Sequence, residues 1–249
     1  SEGGLPAISE LKYVLAMTHF LFFKSLFGDP ALWKVAKPLL LADVMLVLIH
    51  ATFAANRDSL CVGSICNWVT LEAEYGLPAL YMFAKFTAII VIMFLLFRTT
   101  RAAPFLCLSL ALSIMLFDDA LEIHEQGGAF FVDALGLSGA AGLRAQDIGE
   151  LLVWSLLGLP VLALLAWGAL SKSAVGKPTF WVFIGLIAAL MFFAIVVDAA
   201  HSALPRTLLR DISYANQLIG IVEDGGEMVV LSTMVAVAIT IYHRRTAGR

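Results

Sequence analysis

The chain has 249 residues, 61% of them hydrophobic and only 14% charged, with a formal net charge of −3, and its mean hydropathy is +0.91. An ordinary soluble domain is about 25% charged, so the composition excludes that class and points to an integral membrane protein. There is no basic run interleaved with aromatics, no Gly-rich phosphate loop and no detectable repeat, so nucleic acid is not an expected partner.

A helix that crosses a bilayer needs about 20 mostly apolar residues. Such runs lie near 10–27, 38–56, 77–97, 104–125, 146–170, 179–200 and 216–242; no structure is expected for residues 1–6. The first run contains Lys12, His19 and Lys24 and is expected either to cross or to lie in the interface. The expected fold is thus an all-α polytopic bundle, one domain over 1–249, with about seven spans, or six if the first is interfacial. Gly28-Asp29-Pro30 suits a helix stop. Pro38, Pro78, Pro104 and Pro178 fall near first turns, where a missing N–H costs nothing, whereas Pro160 lies inside the fifth span and predicts a kink.

The second span carries Asp43 in its inner half, with His50 seven residues on along the same face. In the loop that follows, Cys61 and Cys66 close a six-residue segment and are expected to form a disulfide, the loop being extracytoplasmic. Lys85 sits in the outer half of the third span, within reach of neutralising an acid, and Cys107 in the fourth is a packing residue.

The fourth span ends in Phe117–Glu125, which puts four carboxylates and an imidazole into eight residues. On a regular helix Asp118, Glu122 and Glu125 form one stripe, Asp119 flanks it and His124 points away. The apolar run Ala129–Leu137 beyond it is expected to lie on the membrane or to cap the acids. Asp147 and Glu150 open the fifth span, with Arg144 one turn earlier. Asp198 and His201 close the sixth, and Glu223, Asp224 and Glu227 open the seventh, with Asn216 on their face. Four helix ends are therefore expected to bring acids to one depth. Acids in a first turn are favoured by the helix dipole, which is the competing account of Asp147, Glu150 and Asp224. Asp118, Glu122, Asp198 and Glu227 have apolar flanks and fall partly within the membrane, where ionisable residues are functional candidates by default.

Basic residues set the orientation. Lys24, Lys34, Lys37, Arg98, Arg101, Lys172, Lys177, Arg244, Arg245 and Arg249 share one set of ends; Arg57, Arg144, Arg206 and Arg210 share the other. The first set is expected to be cytoplasmic, which puts the C-terminus inside and the N-terminus outside. The acidic ends would then be periplasmic if the membrane is a bacterial inner membrane.

So many carboxylates at close range repel one another unless they are protonated, paired with arginine or bound to metal. Carboxylate pairs with a His on facing helices match the logic of di-metal bundles, although only Asp198-x-x-His201 imitates their usual element. The leading expectation is one or two divalent ions, iron or manganese before calcium, magnesium or zinc. Asp118, Glu122, Glu125, Asp198, His201, Glu223 and Glu227 would be the ligands, with Glu150 or Asp147 as general base on bound water. Such a site would serve an oxidoreductase or hydrolase acting on a lipid or small molecule. The alternatives are a cation or proton transporter using the same acids, with Asp43 and Lys85 continuing the path inward, and a structural subunit of a homo-oligomer or larger membrane complex. The seventh span has no Lys for a retinal Schiff base, and no Gly-x-Ser-x-Gly elbow appears.

Overall fold

The computed structural model describes residues 8–56, 60, 66–71, 73, 75–140, 142–203 and 215–247, without side-chain detail at 8–16, 67, 215 and 216. Ten α-helices and no strand occur among the described residues. They are α1 (Ile8–Phe27), α2 (Pro30–Ala55), α3 (Cys66–Val69), α4 (Leu77–Thr100), α5 (Ala103–Ala120), α6 (Ile123–Leu135), α7 (Ala145–Leu170), α8 (Lys177–Met191), α9 (Asp198–Ala203) and α10 (Ala215–Thr246). A π-helical segment, Phe192–Val197, joins α8 to α9 without a break. Among the described residues, six stretches are long and apolar enough to cross a membrane: Pro30–Ala55, Leu77–Thr100, Ala103–Ala120, Ala145–Leu170, Lys177–Ala203 and Gln217–Thr246. The chain thus has the build of a multi-pass membrane protein. The first expected span is formed as α1 but is not among these six.

Local chemistry sets the helix ends. Asp29 caps α2 by accepting the Ala31 N–H at 2.8 Å, with Pro30 in the first turn. α2 therefore starts eight residues before the expected boundary and carries Pro38 inside it. The reason is that the Gly28-Asp29-Pro30 stop is also a start signal. Pro160 is likewise accommodated inside α7.

The fourth expected span is not continuous. α5 ends at Ala120, and Glu122 adopts a left-handed backbone with φ 52° before α6 begins. The predicted stripe on one regular helix is therefore replaced by a corner, and the apolar run after it becomes α6. That helix packs along α7 through glycines. A Cβ on Gly149 would come within 2.4 Å of the Gly128 carbonyl oxygen, and one on Gly128 within 2.8 Å of the Glu150 side chain.

α10 is the central helix. Its Met228, Leu231, Met234, Ala236, Val237 and Ala238 are fully buried, and it packs against α2, α4, α8 and the π segment. Small residues at helix contacts allow the close approach on which packing in lipid relies. The core fills the half of the bundle holding the basic ends, with Leu26, Leu32, Met93, Leu96, Phe105, Phe180 and Phe183 in one cluster. At that end Arg244 donates to Asp29 Oδ2 at 2.8 Å through Nε and to the Ser25 carbonyl at 2.9 Å through Nη2. The Ala31 N–H and then Arg244 hold the Asp29 carboxyl below its ordinary range.

Of the expected Cys61–Cys66 pair, Cys61 lies outside the described residues, as do Arg57, Arg206 and Arg210. Cys107 is a free, buried thiol.

Candidate functional site

The acidic half of the bundle is hollow. A cavity of about 800 Å³ opens there, within the roughly 300–1,000 Å³ range of ligand pockets. Its wall carries Asp119 from α5, Glu122 from the corner, Glu125 from α6, Glu150 from α7, Asp198 from α9, and Glu223, Asp224 and Glu227 from α10. Arg144 and His124 are the basic residues on it, and Met82, Phe83, Phe86 and Met115 close its inner side. The four expected helix ends do meet.

The corner at Glu122 reverses the expected direction of His124. Its Nδ1 lies 3.2 Å from Asp118 Oδ2, and its ring stacks obliquely on Trp154, with centroids 5.2 Å apart at 31°. Burial opposes the imidazolium most strongly of any single influence. The Asp118 hydrogen bond and the charges of Asp118, Glu125 and Glu150 together outweigh it, so the His124 pKa stands above its ordinary value of 6.5. Asp118 itself is only 1% exposed and sits behind the cavity wall. It is not one of the lining acids, and its Oδ1 accepts no hydrogen bond among the described residues.

Gln146 ties two helices together at this wall. Its side-chain amide donates to the Glu125 carbonyl at 2.9 Å and to Glu150 Oε1 at 2.8 Å. Asp147 faces elsewhere: Oδ2 accepts the Arg144 N–H at 2.7 Å and Oδ1 the Arg144 Nε at 2.9 Å. These bonds make it the capping acid of α7. Of the two acids expected as general base, Glu150 is the one on the cavity. His201 Nδ1 lies 3.3 Å from Glu223 Oε2, so α9 and α10 approach closely at this end. The π segment sets that approach. Phe193 packs so tightly on Gly226 that a Cβ there would come within 2.4 Å of the ring, and π segments recur at functional sites. Among the described residues, no three His, Cys, Asp or Glu side chains converge closely enough to hold a metal ion.

Asp43 and Lys85, expected at different depths, meet each other. They form one ion pair, Lys85 Nζ to Asp43 Oδ1 at 2.6 Å, with the residues 3% and 1% exposed. Nζ also donates to the Met228 carbonyl at 3.0 Å and stands 4.0 Å over the Tyr81 ring, while Ser232 Oγ donates to Asp43 Oδ2 at 2.6 Å. The pair lies directly behind the cavity. Lys85 follows the lining residue Met82 by one turn and precedes the lining residue Phe86, and Met228 follows the lining residue Glu227. Spacing within one helix cannot reveal a bond between two, so the pairing was invisible in the sequence. His50 accepts the Leu71 N–H on Nδ1 at 3.1 Å, which ties α2 to the segment after α3.

Residues 38–241 match the family model described as "Domain of unknown function (DUF8692)", and the chain belongs to that family. No curated protein and no solved structure matches the chain.

Proposed function

We propose that this family member is a cation- or proton-transporting membrane protein. The acidic cavity would be its entrance, and the Asp43–Lys85 pair the charge-exchange element within the membrane. The observation that carries this reading is a fully buried ion pair directly behind a wall bearing eight carboxylates. A negative, partly enclosed cleft concentrates cations. An intramembrane ion pair costs several kcal/mol per ion in desolvation, and a purely structural link between α2, α4 and α10 has cheaper apolar solutions. A cation or proton that reaches Asp43 would compete with Lys85 for it, and so would couple occupancy to the packing of these three helices.

The test is flux in proteoliposomes under an imposed pH or potassium gradient. Flux that collapses in Asp43→Asn, and in Asp43→Leu combined with Lys85→Met, supports the reading. Absent flux, or flux indifferent to these changes, removes it.

A metal-dependent enzyme is the second reading: His201 and Glu223 meet at 3.3 Å, and Asp198 and Glu227 would have to close on them to complete a ligand set, since no three of these side chains converge in the arrangement described. Oxygen-rich sets of this kind suit Mn²⁺, Fe²⁺ or Ca²⁺. Elemental spectra of the purified protein decide it: less than one equivalent of metal per chain, with full activity, sinks this alternative. The basic ends would be cytoplasmic in either case.

A further inference from the structure

A second cavity, of about 370 Å³, lies beside the first, between α5, α7 and α8. It exists because α7 packs on α5 and α6 but barely on α8. Its walls are apolar side chains such as Leu157, Val161 and Ile187, and Asp118 is the one ionisable residue on it among the described residues. Leu162, on its rim, is 63% exposed, so the groove opens on the outer surface of the bundle, where a membrane protein meets lipid. Met115, Trp154 and Met191 line both this groove and the acidic cavity, so the two spaces share a wall.

We propose that the groove binds a single-chain amphiphile with a primary amine head, the chain lying along α7 and the amine reaching Asp118. Two observations select this occupant. The buried Asp118 Oδ1 has no hydrogen-bond donor among the described residues, and a buried carboxylate oxygen without a donor is costly; an ammonium supplies the missing donor and the opposite charge. Beside it stands the Trp154 ring, whose face attracts a cation. An anionic head would meet Asp118 and the eight acids across the shared wall, and a neutral head would add no positive charge where the His124 imidazole faces Asp118, Glu125 and Glu150. The volume is at the lower end of the ligand-pocket range, which fits one chain rather than two. The inference concerns the groove and does not depend on ion transport.

The probe is dodecylamine carrying a photoreactive diazirine near its chain end, with the equivalent dodecanol as control, in phosphatidylcholine nanodiscs at equal membrane content. Labelled residues are mapped by mass spectrometry. The expected result is saturable labelling around Val161 and Ile184, at least tenfold greater for the amine than for the alcohol. Asp118→Asn should bring the amine down to the alcohol's level. A Cβ at Gly158, on the groove wall, meets open space, so Gly158→Phe should crowd the groove and abolish labelling by both. Equal labelling by amine and alcohol in the unaltered protein, or labelling that survives Gly158→Phe, overturns the proposal.

Discussion

Lys85 and Asp43 are each held at more than one point, the ammonium donating to a carboxylate and a carbonyl over a tyrosine ring, the carboxylate accepting from the ammonium on one oxygen and from Ser232 on the other. Removing one partner strands the other charge in an apolar interior, which costs about 3–5 kcal/mol, whereas replacing both by apolar residues is often near neutral. Asp43→Asn and Lys85→Met should each lower unfolding stability in detergent by that amount, and Asp43→Leu with Lys85→Met by much less. Loss of flux in a double variant of near-native stability would then be a functional effect rather than a folding one. His124 gives a second test at this scale. Its folded pKa is raised, so its contribution to stability is complete below 6.5 and is lost as pH rises through the higher folded value. The melting temperature should therefore fall as pH rises above 6.5, and His124→Gln should flatten that dependence. The groups that set the window are Asp118, Glu125 and Glu150. A slope unchanged in His124→Gln would remove the assignment.

Between elements, the corner at Glu122 and the glycine contact of α6 on α7 shape the cavity together. A non-glycine residue in the left-handed region costs roughly 1–2 kcal/mol, so Glu122→Gly should raise stability by about 1 kcal/mol while removing one cavity acid. Gly149→Ala should act oppositely. Its methyl would meet the Gly128 carbonyl, a backbone group with little room to yield, and overpacking of this kind costs about 1–3 kcal/mol. Chemical unfolding of the two variants checks both signs. The corner also marks where the sequence stopped being legible. Apolar run length was enough to find the membrane-length helices, and acid spacing was enough to bring four helix ends together. Nothing at Leu121 or Glu122 announces a break, because neither is Gly or Pro. A regular helix is therefore the expectation through it, and the corner is what brings His124 round to Asp118 and the cavity. The Gly127-Gly128 and Gly149 pattern was the available signal for a tight α6–α7 contact, since small residues are where helix backbones meet. Asp119 and Trp154 were harder to see, since their place on the wall depends on that contact and not on their own helices.

Across the whole molecule, packing divides the bundle into two unlike halves. Around the basic ends, α1, α2, α4, α5, α8 and α10 bury a continuous core from Leu26 to Ile241. Around the acidic ends the packing opens into the 800 Å³ cavity, walled by the corner at Glu122, α6, α7, α9 and the start of α10. The ion pair stands between the two halves. A molecule built this way is accessible from one end only, and a transporter of this form must rearrange its packed half, since interiors at crystal-like density transmit no ion at rest. Single cysteines in a Cys61→Ser/Cys66→Ser/Cys107→Ala background, assayed in sealed vesicles of known orientation, test that geometry with a membrane-impermeant maleimide. Glu223→Cys, on the cavity wall, should be labelled within minutes from the acidic side and not from the other. Met93→Cys and Val235→Cys, in the packed core, should stay unlabelled from both sides at rest. If the protein transports, an ion gradient should raise labelling at Met93→Cys from the basic side, because the core must admit water for the cation to leave. Rapid labelling of either core position from the basic side at rest would mean that the closed half is not closed, and the one-ended architecture would have to be abandoned.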